Sequence, residues 1–194
     1  MAIAFRSLSS GRAPRGARGL ALPVPGSGSQ LLVHPAGEAR WRKRRFRCAL
    51  GRAGVLAEKR EGDGGTPAGL WPMRDVWFRA DRLAMPATHL PCRALDPADG
   101  WCDDPADPFY NRHVRLPYPA SCERLWREDR LYDLIVPLGY NDDPVIPGRG
   151  SAIFLHVARA DVAPTAGCVG LALADLLVVL REAEPGATVR VLAE

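Results

Sequence analysis

From residue 30 onward the apolar positions come in short blocks. Gln30–Val33, Phe46–Leu50, Val55–Lys59 and Leu70–Met73 are too brief for helices and read as strands. Asp63-Gly64 and Gly64-Gly65 lie between them and supply the positive φ that tight turns require, so residues 46–80 are predicted to form an antiparallel meander. Leu131–Gly139 and Ser151–Val157 are apolar on both faces, the pattern of central strands. One stretch alone has a helical period: Leu173, Leu176, Leu177 and Leu180 recur at helical spacing, with Asp175 in the first turn and Pro185-Gly186 beyond the end. Thr188–Leu192 predicts a last strand. Arg82–Asp129 has no period and concentrates Asp, Pro and aromatics around Trp101–Asn111. A structureless run of that length is functional or disordered, and its aromatics argue against disorder. A wall over a site and a surface loop pinned by Trp101, Phe109 and Tyr110 both fit. The pattern predicts a β-rich domain with one helix.

Composition adds turns and removes a membrane span. The 194 residues include 19 Gly and 18 Pro, and the best apolar run, Val169–Leu180, is broken by Gly170 and Asp175 and falls short of the roughly 18 residues a span needs. Residues 30–194 read as one domain and residues 1–29 as a basic, unstructured tail. Within that tail Ala2–Phe5 and Leu20–Val24 are shorter than the apolar core of a secretory signal. No export signal is readable, and the N-terminus alone leaves a cytoplasmic location open.

The net charge of +4 hides an asymmetry, because residues 1–47 hold ten basic residues against the single acid Glu38, and the remainder is net negative. Arg40–Arg47 is either a polyanion-binding patch or a strand whose Trp41 and Phe46 pack inward while its arginines stand in water. The acidic remainder argues against nucleic acid as a partner. Asp103, Asp104 and Asp107 lack the ligand spacing and glycine of a calcium loop, so no metal is expected. The turn Gly62–Gly65 has no following Lys-Ser/Thr and reads as a hairpin rather than a phosphate cradle. Five cysteines, Cys48, Cys92, Cys102, Cys122 and Cys168, are an odd number without CxxC spacing. At least one thiol is therefore unpaired. Cys48 reads as a small core residue, and the other three outside Cys168 leave room for one disulfide whose pairing spacing does not decide.

The chemistry concentrates near the end of the chain. His156 ends a buried strand, and Cys168 follows in the loop Thr165-Ala-Gly-Cys-Val-Gly170. Acyl transfer by a thiol needs a thiolate, a base and backbone N–H groups aimed at the oxyanion. A Cys in a Gly-containing turn beside a His is able to supply all three, with His156 lowering the thiol pKa as an imidazolium. A buried core His and a buried core Cys are the plain alternative.

Three ordered motifs favour the chemical reading. Lys59-Arg-Glu-Gly-Asp-Gly-Gly-Thr-Pro-Ala-Gly69, then Gly148-Arg-Gly-Ser-Ala-Ile-Phe-Leu-His156, then Thr165-Ala-Gly-Cys-Val169 resemble the L,D-transpeptidase catalytic-domain family, also called YkuD-like. The resemblance spans about residues 31–192. It implies a mainly β fold, an antiparallel β-sandwich with one or two short helices. It also implies that Cys168 attacks peptidoglycan stem peptides, with His156 as base, N–H groups around Gly167 and Cys168 holding the oxyanion, and Thr165 fixing the loop. An amine acceptor would give a cross-link and water would give carboxypeptidase activity, with no cofactor in either case, and such a protein works in the cell envelope. Two positions depart from the family pattern. Ala166 stands where many members have His, and Gly170 where many have Arg or another polar residue. These departures bear on how a stem-peptide carboxylate is held. Arg149 and Arg159 are candidates for that contact, with solvated arginine as the alternative; Tyr132 and Asn141 are candidates for the groove lining, with core and turn roles as theirs. A wall-binding module without catalysis is the competing function.

Overall fold

The computed structural model describes residues 29–193, so the expected tail lies outside the described residues apart from Ser29. In chain order these residues form β1 (Gln30–His34), β2 (Glu38–Trp41), β3 (Arg44–Ala49), β4 (Val55–Leu56), β5 (Thr66–Pro67), β6 (Gly69–Pro72), β7 (Val76–Phe78), β8 (Cys92–Ala94), β9 (Asp99–Cys102), β10 (His113–Arg115), β11 (Cys122–Arg124), β12 (Leu134–Pro137), β13 (Phe154–Val157), β14 (Val169–Leu171), α1 (Leu173–Glu182) and β15 (Thr188–Val191). Ten strands make one curled sheet in the order β6-β15-β1-β2-β3-β14-β13-β12-β7-β8, and β10-β9-β11 make a small separate sheet.

The β-rich class with one helix is as the pattern predicts. Most pairs are antiparallel, but β1/β15, β13/β14 and β7/β8 are parallel, so the large sheet is mixed. The predicted meander over 46–80 is not formed. β3 pairs with β2 and β14, β6 with β15, and β7 with β12 and β8. Each of these strands is only three to six residues long, and what it gains by pairing depends on a matching apolar face, which distant strands supply better than its chain neighbours. The glycine turn at 62–65 likewise joins no hairpin; it leads into the parallel pair β4/β5.

The two-residue period of the central strands sorts their side chains onto two faces. Leu134 and Val136, Leu155 and Val157, and Val169 and Leu171 enter the larger core, where α1 adds Leu176, Val179 and Leu180. Ile135, Phe154 and Cys168 face the other way and join Trp77, Leu125 and Tyr132 in a second cluster. The small sheet covers this second face. Trp101 of β9 packs on Trp77 and Phe154 with ring centroids 5.9 and 5.2 Å apart. The irregular region is therefore a wall, pinned by Trp101 and the buried Tyr110, while Phe109 remains exposed. The basic stretch takes the strand form. Trp41 is fully buried with its indole N–H donated to Glu182, and Arg42 and Arg44 stand outside within 3.5 Å of the same carboxylate.

Candidate active site

His156 and Cys168 are brought together by the parallel pairing of β13 with β14. His156 is level with Gly170, and Leu155 with Val169, which sets Cys168 opposite Phe154. The strand period puts both side chains on the second face, diagonal to one another across the ladder. Both line one cavity of about 490 Å³. They share no hydrogen bond. The Cys168 thiol instead donates to the Ala152 carbonyl at 3.2 Å and accepts from the Phe154 N–H at 3.3 Å. His156 Nδ1 lies 2.8 Å from the Val157 carbonyl. A carbonyl only accepts, so in the neutral ring Nδ1 carries the proton and Nε2 is the basic nitrogen.

The cysteine loop is held by two threonines from different parts of the chain. Thr165 Oγ1 accepts from the Gly167 N–H at 3.1 Å and donates to the Cys168 carbonyl at 2.7 Å. The Thr165 backbone is tied to Leu50 and Arg52, at the turn after β3. Thr66 is fully buried, takes the Gly51 N–H at 2.8 Å and reaches the same Cys168 carbonyl at 3.5 Å. The glycine-rich motif and the cysteine motif therefore meet in space. Gly167 sits at φ 145°, and a Cβ there would lie 2.8 Å from the Gly65 carbonyl, so neither backbone nor space admits a side chain. Gly170 is less constrained: its backbone is in an ordinary region, and a Cβ there would meet Ala158 at 3.2 Å and Ala49 at 3.3 Å, contacts that ask each neighbour to give by a few tenths of an ångström.

In this structure the Gly167 N–H is engaged by the Thr165 hydroxyl.

Charge lines the cavity in both signs. Arg52, Lys59, Arg127 and Arg159 contribute cations; Glu61, Asp103 and Glu123 contribute acids. The Lys59 ammonium is buried against Asp63 at 2.7 Å, and Glu61 accepts from the Ser151 and Tyr110 hydroxyls. Tyr132 donates to Glu123 at 2.6 Å and sets its ring edge against His156, centroids 5.4 Å apart. Asp103 Oδ1 is buried without a hydrogen-bond partner.

Burial governs the titration. It pushes the Cys168 thiol up to about 12, helped by the Glu123 carboxylate and opposed by the Phe154 N–H and Lys59. It pushes the His156 imidazole down to about 4. At neutral pH the resting pair is a thiol and a neutral imidazole, not the thiolate–imidazolium pair expected from sequence. The reason is that both groups sit behind the small sheet, and charge separation in an unsolvated site is costly. Burial also raises Glu123 above the usual carboxyl range.

Of the remaining sequence candidates, Tyr132 and Arg159 line the cavity. Arg149 and Asn141 do not. Arg149 is exposed and contributes its carbonyl to the Tyr140 hydroxyl. The Asn141 amide ties the 141–150 loop, donating to the Ile146 and Gly150 carbonyls and accepting the Ile146 N–H. Sequence reading gave no role to Arg52, Thr66, Lys59, Glu61, Asp103, Glu123 or Arg127. Thr66, Lys59 and Glu61 fall within the quoted glycine-rich motif. Asp103, Glu123 and Arg127 come from the aperiodic region and had no spacing to announce them. Among the described residues no group of three or more His, Cys, Asp or Glu is placed to hold a metal ion, and no helix is long and apolar enough to cross a membrane.

The fold is similar to that of an L,D-transpeptidase from Mycobacterium smegmatis (12% identity, TM-score 0.42) and of L,D-transpeptidase 1 from Mycobacterium tuberculosis (10% identity, TM-score 0.42), each alignment covering 87% of this chain and 60% of the other. It is also similar to the helical cell shape determining protein Pgp2 from Campylobacter jejuni, at 15% identity and TM-score 0.44 over 86% of this chain and 48% of that one. The chain thus spans about half to three fifths of the length of these proteins. No curated protein matches it. A sequence model of the L,D-transpeptidase catalytic domain, YkuD, matches residues 26–191, nearly the whole chain. The chain belongs to the L,D-transpeptidase catalytic-domain family.

Proposed function

We propose that the protein is a cysteine L,D-transpeptidase that acts on peptidoglycan stem peptides through an acyl-enzyme on Cys168. The observation that carries this reading is the meeting of Cys168 and His156 on one face of adjacent strands, inside a single charged cavity. As the thiol attacks the carbonyl of the scissile peptide bond, His156 Nε2 takes its proton, so thiolate forms only with substrate in place. The Cys168 N–H holds the developing oxyanion. The tetrahedral intermediate collapses as the C–N bond breaks, and the imidazolium returns the proton to the leaving amine. An acceptor amine then attacks the thioester, His156 removes its proton, and the thiol is restored. Arg52 and Arg159 supply positive charge for the carboxylates of a stem peptide. Asp103, with an unpartnered buried oxygen, and Glu123 supply negative charge for an incoming ammonium. Acids positioned for an amine favour cross-linking over hydrolysis by water.

Intact-mass analysis with a carbapenem tests the nucleophile. Wild type is expected to gain one covalent adduct, mapped to Cys168, that Cys168→Ala lacks and His156→Gln forms at least 100-fold more slowly, on the order of a general-base contribution. An equal adduct on Cys168→Ala overturns the assignment. Incubation with stem tetrapeptide and a diamino-acid acceptor separates the two enzymes: cross-linked product marks a transpeptidase and free acid alone a carboxypeptidase.

One observation favours a second reading. The thiol is bonded to Ala152 rather than to the imidazole and has a pKa pushed up to about 12, as suits an inert core cysteine in a wall-binding module. That reading predicts retention on purified sacculi, no carbapenem adduct and an unchanged muropeptide profile.

A further inference from the structure

We propose that Cys102 and Cys122 close a disulfide across the wall of the cavity. Both residues lie on paired strands, Cys102 ending β9 and Cys122 opening β11, and the antiparallel register sets them directly opposite each other. Their position in the ladder is the favourable one. The Asp103 N–H bonds to the Ser121 carbonyl at 3.1 Å, and the Leu125 N–H bonds to the Asp99 carbonyl at 3.1 Å. Those residue pairs are the hydrogen-bonded rungs, and Cys102/Cys122 falls on the alternating non-hydrogen-bonded rung. There the Cα atoms stand about 4.5 Å apart and the side chains approach most closely, inside the window of about 4.4–6.8 Å that a disulfide spans without moving the backbone.

The other thiols have no such partner. Cys48 is buried in the larger core, Cys92 lies in β8 at the edge of the large sheet, and Cys168 is bonded to backbone groups in the cavity. The accessible member of the pair is Cys122; Cys102 is fully buried. Oxidation therefore begins at Cys122. Its thiolate attacks one sulfur of an external disulfide, either a small-molecule disulfide or that of a dithiol oxidase, and expels the other as thiolate. The Cys102 thiolate then displaces the attached sulfur. Two protein thiols become one disulfide, and the external disulfide becomes two thiols, taking up both electrons and both protons. Burial, the neighbouring Cys102 and the carboxylates of Asp103 and Asp107 hold the Cys122 thiol up at about 11, so the exchange is slow without a catalyst.

The bond would staple the part of the wall that reaches the site. Asp103 follows Cys102, Glu123 follows Cys122, and both line the cavity; Glu123 holds the Tyr132 hydroxyl at 2.6 Å. The closed loop carries Tyr110, whose hydroxyl binds Glu61. The cross-link does not depend on the proposed activity and is read without it.

The test uses the full chain, purified reduced and then held in mildly alkaline buffer with oxidised glutathione, in parallel with a Cys168→Ala version. The expected result is a loss of about 2 Da, two hydrogens per bond, a linked peptide pair containing Cys102 and Cys122, and a melting temperature several degrees above that of the reduced chain and reversed by dithiothreitol. Cys122→Ser should fold like the reduced wild type and show neither change. Five thiols remaining after oxidation, a persistent mixed disulfide at Cys122, linkage of either residue to another cysteine, or a redox-dependent melting temperature that survives Cys122→Ser would each overturn the proposal. Because the Cys168→Ala chain gives the same readout, failure here is distinguishable from failure of the acyl-enzyme.

Discussion

Gly167 shows how a single position decides whether the cysteine loop closes. Its φ of 145° and the Gly65 carbonyl 2.8 Å from a would-be Cβ mean that Gly167→Ala must move backbone. It is expected to cost about 1–3 kcal/mol or more and to slow carbapenem acylation, because the displaced loop carries the nucleophile; chemical denaturation and adduct kinetics measure the two effects. Thr66 acts on the same loop from the other side. Thr66→Val keeps the shape but strands the buried Gly51 N–H that the hydroxyl accepts. The expected loss is about 1–3 kcal/mol, the desolvation cost of an unpaired buried group, and Thr66→Ser, which restores the acceptor, should recover much of it. Tyr132→Phe removes one hydrogen bond to Glu123 and leaves the ring against His156.

The strands around the site depend on partners that chain proximity does not supply. β14 is three residues long, yet it is held between β3 and β13, and this pairing sets His156 level with Gly170. A side chain at Gly170 would press on Ala49 of β3 and on Ala158 just after β13, so Gly170→Arg is expected to push these contacts apart by a few tenths of an ångström and lower the melting temperature. The helix obeys simpler rules. Leu176, on its buried face, is fully enclosed, and Leu176→Ala should cost about 2–5 kcal/mol without changing the acylation rate of the protein that remains folded. Leu173 and Leu177 are only partly buried, and their truncation should cost less.

Stability as a function of pH integrates these local environments over the whole molecule. His156 keeps a pKa of about 4 in the fold against an ordinary 6.5, so between those values the unfolded chain binds a proton that the native chain does not. Stability is fully present above pH 6.5, falls as the pH drops towards 4, and has lost about 3 kcal/mol from this group at the lower end. Urea unfolding at a series of pH values should show this slope, and His156→Gln should remove that component. At the alkaline end the sign comes from thiols whose folded pKa is raised: above pH 9 the unfolded chain releases protons that Cys168 and Cys48, both pushed up to about 12, retain. Stability must therefore decline from pH 9 upward.

The strands at β1, β3, β12, β13 and β15 and the single helix of the described residues, with its Pro-Gly end, were legible in the chain itself, because period and turn residues are local properties that survive tertiary packing; His156 and Cys168 stood out through the order of the family-like motifs. The pairing of the strands was not legible. A two-residue period says which side chains share a face but not which distant strand lies beside it, so the expected meander gave way to β6 beside β15 and β7 beside β12. The wall from Arg82 to Asp129 had no period to read, and its Asp103 and Glu123 entered the cavity only because a small sheet folds over β12 and β13. The ionisation of the site was likewise beyond the chain. Residue type names a thiol and an imidazole, but how much water each loses on folding sets which of them carries charge, and that depends on everything packed around them.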